Sequence, residues 1–172
     1  MALWQLDPFA DRPARVPSCT DLAPAMQSTA GGAWSVSDPD KDRSETESST
    51  VCQLTFTSAD QRFSGTALVL VQGDTEEEAA RRKAAKTECL GIATVAAVPN
   101  GYSAYRTCEQ NNGERVNGSV VAAKGNRWTH LSVFTSVPAG AEAAAAIAYA
   151  QDMAGKLAEL AMTLTESKEA GA

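Results

Sequence analysis

The chain holds one histidine, His130, and none of its four cysteines stands in a C-x-x-C pair. A histidine-rich metal site is therefore excluded, and a zinc site made from the cysteines would have unusual spacing. No run approaches the roughly 18 apolar residues that a membrane span needs. Residues 2–19 lack the apolar h-region of a signal peptide. Positive charge is scarce: Lys and Arg number 15 against 21 Asp and Glu, a net charge of −6. Nucleic acid, whose phosphates need clustered cations, is not an expected partner. There is no G-x-S-x-G elbow. Nor does any glycine-rich stretch follow a strand and open a helix as a phosphate loop must.

What the chain does hold is organised around residues 51–71, VCQLTFTSADQRFSGTALVLV. Cys52, Leu54 and Phe56 alternate with Gln53, Thr55 and Thr57, the period of two of a half-buried strand. Residues 58–61 are polar and reverse the chain. In the second run Phe63, Ala67, Val69 and Val71 point one way and Leu68 and Leu70 the other. A strand apolar on both sides is expected in the middle of a sheet, covered on both faces. The short link makes the pair an antiparallel hairpin.

Upstream, residues 1–17 carry three prolines and no period, and read as an arm or a linker from a removed anchor. Trp4, Leu6 and Phe9 are expected to dock on the body or to sit near a membrane surface. Residues 18–30 read as a short helix capped by Ser18 or Thr20, with Asp21 at its positive end and Pro24 tolerable only in the first turn. A short edge strand at 33–37 carries Trp34 and Val36. Residues 38–49 (DPDKDRSETESS) read as a solvated loop. They lack the D-x-[DN]-x-[DN]-G pattern of a calcium loop.

Downstream, Thr75 and Glu78 form a capping box for a helix over 75–91. Glu77 stands four residues before Arg81, and Glu78 four before Arg82, both in the favourable order. Residues 91–99 read as a buried connection or short strand. Three strands follow, near 102–108, 115–123 and 127–137. In the last, Trp128, His130 and Ser132 share a face. Ile147, Ala150, Ala154, Leu157, Ala161 and Leu164 form the apolar stripe of a long closing helix over 141–165. Residues 167–172 are a tail. The order predicts an α+β domain over 18–166: an antiparallel sheet of about five to six strands, a long C-terminal helix, and shorter helices packed on it. Four cysteines, Cys19, Cys52, Cys89 and Cys108, allow three pairings. Two disulfides, and hence an oxidising compartment, are the expectation.

Ser18-Cys19-Thr20-Asp21-Leu22, Val51-Cys52-Gln53-Leu54, Asn100-Gly101-Tyr102-Ser103-Ala104-Tyr105 and the strand over 127–134 carry a resemblance across most of the chain from Cys19 onward. The arrangement resembles a family of actinobacterial cell-envelope lipoproteins with a PsbP-like fold. That family commonly has a tryptophan soon after its second cysteine, where this chain has Gln53 and Leu54, and Cys89 and Cys108 look like an added pair. Its function is not established. The resemblance implies a fold, an extracytoplasmic, cell-surface or secreted location and the pairings Cys19–Cys52 and Cys89–Cys108, but no activity.

Catalysis needs groups of matched pKa held together. A Ser-His-Asp triad would have to use His130, whose face neighbour is Ser132; the plainer reading is a half-exposed strand residue. The acids gather in the 38–49 loop, the middle helix and the tail, where they solubilise. No catalytic residue, metal or cofactor is assigned. The expectation is a non-catalytic, membrane-tethered domain that binds a protein or cell-envelope ligand. The aromatic residues Trp34, Tyr102, Tyr105 and Trp128 are its possible binding surface, or else ordinary core. The alternatives are a secreted hydrolase using His130 and a protease-inhibitor-like domain with 38–49 as bait.

Overall fold

The structure, a computed structural model, describes residues 12–37, 44–94 and 97–164. Trp4, Leu6, Phe9, the tail and the first half of the 38–49 loop lie outside them. The elements run α1 (Cys19–Ala30), β1 (Ala33–Val36), β2 (Ser44–Thr46), β3 (Ser49–Thr57), β4 (Ser64–Gly73), α2 (Glu77–Lys86), β5 (Ile92–Thr94), β6 (Ala104–Asn111), β7 (Arg115–Lys124), β8 (Arg127–Ser136) and α3 (Ala143–Thr163). The architecture is the expected α+β class, with one antiparallel sheet in the order β1-β3-β4-β8-β7-β6-β5 and β2 also pairing with β3. Among the described residues the sheet has eight strands, more than the expected five to six. The additions come from β2 and β5, three residues each, too short to show a period.

α1 begins as its sequence suggests. Ser18 Oγ accepts from the Asp21 amide at 3.2 Å, and the Asp21 carboxylate accepts from the Ser18 amide at 3.0 Å. These bonds satisfy donors that every helix start leaves open. Pro24 sits in the second turn, not the first; its exposed ring leaves the Thr20 carbonyl without the usual helical donor. α2 starts one residue late. Its N-cap is Glu76 with no side-chain cap, because residues 74 and 75 are tied to the β7–β8 turn: the Asp74 amide donates to the Asn126 carbonyl, and Asn126 Nδ2 to the Thr75 carbonyl. Arg81 pairs with Glu78 at 2.6 Å rather than with Glu77. Of residues 91–99, expected to be a buried connection or a short strand, Ile92–Thr94 form the short strand β5 at the sheet edge, with Ile92 77% exposed rather than buried.

α1 and α3 cover one face of the sheet and α2 part of the other. The larger core lies under α1 and α3, where Leu22, Met26, Leu54, Leu131 and Leu157 are fully buried. Val16, just before α1, belongs to it. α3 lies close because β7 carries Gly118: a Cβ there would stand 2.6 Å from the Gln151 amide nitrogen. The Arg127 guanidinium ends α3 by donating to the carbonyls of Ala161, Met162 and Leu164. A cation there satisfies orphan acceptors and faces the negative end of the helix dipole.

The expectation for β4 is corrected. It is central and antiparallel, between β3 and β8, but among the described residues its second face is covered only in part, where Leu70 packs against the α2 cluster. Ala67, Val69 and Val71 are buried under the helices, while Leu68 on the other face is 45% exposed. The strand covered on both faces is β7, buried from Val116 through Ala123. α3 lies on one side of it and α2 with the following chain on the other. Both disulfides form as the resemblance implied. Cys19–Cys52 ties α1 to β3 and Cys89–Cys108 ties the chain after α2 to β6, with Cα separations of 6.5 and 6.0 Å.

Candidate binding sites

β8 presents Trp128, His130 and Ser132 toward the α2 face, as its alternation predicted. The three meet three different environments. Trp128 is covered by α2 through Ala80 and Ala84. Ser132 Oγ pairs with Ser119 Oγ of β7 at 3.0 Å, and Ser119 Oγ accepts from Asn117 Nδ2 at 2.9 Å. His130 lies between them with Nε2 buried and without a hydrogen-bond partner among the described residues. Burial first, and the Arg106 guanidinium second, hold its pKa below the usual 6.5. The imidazole is neutral at pH 7.

Beyond His130 the α2 cover ends. Val51 and Gln53 of β3, Leu68 and Leu70 of β4, and His130 and Ser132 then line a groove of about 290 Å³. The register aligns them in cross-strand rows, with Val51 opposite Leu70 and Leu70 opposite His130 in one, and Gln53 opposite Leu68 and Leu68 opposite Ser132 in the next. Full burial of a leucine is worth about 1.5–3 kcal/mol, so leaving Leu68 45% exposed forgoes roughly 1 kcal/mol. An apolar trough with one neutral imidazole can hold an apolar group and pair with one polar atom of it. It does not assemble a triad: the serine hydroxyl is engaged with Ser119, and the charge acting on His130 is a cation, not the orienting carboxylate a triad requires.

The four aromatic residues singled out in the sequence do not converge. Trp34 is 6% exposed and stacks on Phe56 at 4.8 Å in the larger core. Trp128 is 7% exposed, beneath α2 on the opposite face. Both serve packing, because apolar neighbours from the helices lie over their strands. Tyr102 and Tyr105 do come together, with ring centroids 5.2 Å apart and planes at 79°. Tyr102 follows the turn at Asn100-Gly101, where Gly101 has φ +87°. Its hydroxyl donates to the Glu159 carboxylate of α3. Lys124 Nζ lies 3.4 Å from Glu159 and 5.0 Å from the Tyr102 ring centroid. Burial, and then Glu159, push the hydroxyl pKa of both tyrosines up. Between this pair and α3 lies a cleft of about 360 Å³, lined also by Gln151, Asp152, Gly155 and Lys156.

Among the described residues no group of three or more His, Cys, Asp or Glu is placed to hold a metal ion, and no helix is long and apolar enough to cross a membrane. No family model, curated protein or solved structure matches the chain. The sequence reading missed Leu68, Gly155 and Glu159. Gly155 was signalled by its place inside an alanine-rich helix. Leu68 had no signal, since only the extent of α2 decides which of β4's faces stays open.

Proposed function

We propose that this chain is a non-catalytic, extracytoplasmic domain, tethered at its N-terminus, that holds an apolar part of a cell-envelope ligand in the groove on the open sheet face. The observation that carries the reading is Leu68, a large apolar side chain at the centre of a sheet left uncovered beside Val51, Leu70 and a half-buried neutral histidine. A single exposed leucine would need no explanation, but apolar side chains that adjoin one another in a groove mark a ligand or partner site. Two disulfides suit an oxidising compartment, and the resemblance to envelope lipoproteins points the same way.

A dansyl-labelled undecanoic acid tests it by fluorescence titration. Saturable binding to the wild type, lost in Leu68→Asp and kept in Tyr105→Ala, is the expected result. The position is solvent-exposed enough for the aspartate variant to fold, which its melting curve checks. Absence of saturable binding, or equal binding by Leu68→Asp, sinks the reading.

A further inference from the structure

We propose that the cleft between α3 and the start of β6 is a separate binding site for a neutral polyhydroxylated ligand, a sugar chain. It lies on the α3 side of the sheet, opposite the apolar groove, and does not depend on that groove's role.

Gly155 is the first observation. In the middle of a helix, glycine is the least favoured residue after proline, and α3 uses alanine almost wherever it needs a small side chain. Packing demands the glycine at Gly118, where a Cβ would meet α3 backbone at 2.6 Å. It makes no such demand at Gly155, where a Cβ would find Tyr105 Oη at 3.7 Å, an ordinary contact. The missing methyl widens the cleft floor in front of Tyr105.

The second observation is the chemistry of the walls. Asp152 is matched by Lys156 at 2.9 Å and Glu159 by Lys124 at 3.4 Å. Lys124 stands beside Glu159 rather than in the lining itself, and with it the four charges cancel, so neither an anion nor a cation gains net attraction. A purely apolar ligand would strip water from charged groups and return no hydrogen bonds. A sugar has an apolar C–H face for a tyrosine ring and a rim of hydroxyls that both donate and accept. Carboxylates accept from such hydroxyls and ammonium groups donate to them.

The third is preorganisation. Glu159 holds the Tyr102 hydroxyl, Lys124 covers a face of its ring and Tyr105 meets it at 79°. Little rotor freedom remains to be lost on binding.

The test is an amide and aromatic NMR titration of the whole chain with linear hexaoses of glucose, mannose and galactose. At least one is expected to shift Gly155 and the Tyr102 and Tyr105 rings with saturation in the millimolar range or below. Gly155→Ala should weaken that binding about tenfold or more while its melting temperature stays level or rises. Leu68→Asp should bind as the wild type does. No shift of these resonances by any of the three sugars at about 10 mM overturns the proposal. So does an unchanged affinity in Gly155→Ala, or shifts confined to the Leu68 groove.

Discussion

At the scale of single residues, two glycines with the same side chain answer different demands. Gly118 lets α3 come down on β7; Gly155 opens space that α3 does not need filled. Replacing Gly155 by alanine should therefore stabilise the helix by about 1 kcal/mol, a rise of roughly 2–4 °C in melting temperature. A fall would show that the glycine is a packing requirement after all. His130 makes the other residue-scale prediction. Burial and Arg106 depress its folded pKa below 6.5, so the unfolded chain takes up a proton first as pH falls. Its contribution is complete above pH 6.5 and is lost on the way down to the folded pKa. Urea midpoints for the wild type and His130→Gln should thus diverge between about pH 7 and pH 5, with the wild type losing more. Parallel profiles would mean that the imidazole titrates as it does in the unfolded chain.

At the scale of elements, β4 and β7 exchange the roles their residues suggest. β4 carries ALVLV and leaves Leu68 exposed on one face; β7 carries Asn117, Gly118 and Ser119 and is covered on both sides. Asn117 Nδ2 and Ser119 of β7 bond in a row with Ser132 of β8, which satisfies these buried groups, while Asn117 Oδ1 has no partner among the described residues. The strand β3 also depends on a covalent tie. Cys19 and Cys52 are 33 residues apart, and closing a loop of that length is worth roughly 3–4 kcal/mol in the chain-entropy model. Cys19→Ala/Cys52→Ala should lower the melting temperature by about 10 °C, since each kcal/mol is worth roughly 2–4 °C at this size. A double variant that melts with the wild type would assign the hold on α1 to Leu22 and Met26 alone.

At the scale of the whole molecule, the sheet separates two candidate sites. The Leu68 groove lies on the α2 face and the tyrosine cleft on the α3 face. They share no residue, so changes in one should leave the other's affinity intact. Compartment is also a property of the whole chain. Natively produced protein should show no labelled thiol in intact-mass analysis before reduction and four after it, with Cys19–Cys52 and Cys89–Cys108 in the peptide map. Free thiols in that protein would remove the argument for export.

Much of the molecule is legible in the residues alone because it is set by short-range patterning. The period-two alternation of β3, the cap at Ser18 and the alanine stripe of α3 depend on neighbours within a few positions, and each is found where the pattern puts it. Only the tertiary structure decides which apolar side chains remain in water. Leu68, Trp34 and Trp128 are alike as letters, and their exposure follows from how far α1, α2 and α3 reach across the sheet. Burial is a property of what lies opposite, often a hundred residues away in the chain. For that reason the longer strands could be read from sequence, whereas β2, the groove and the cleft could not.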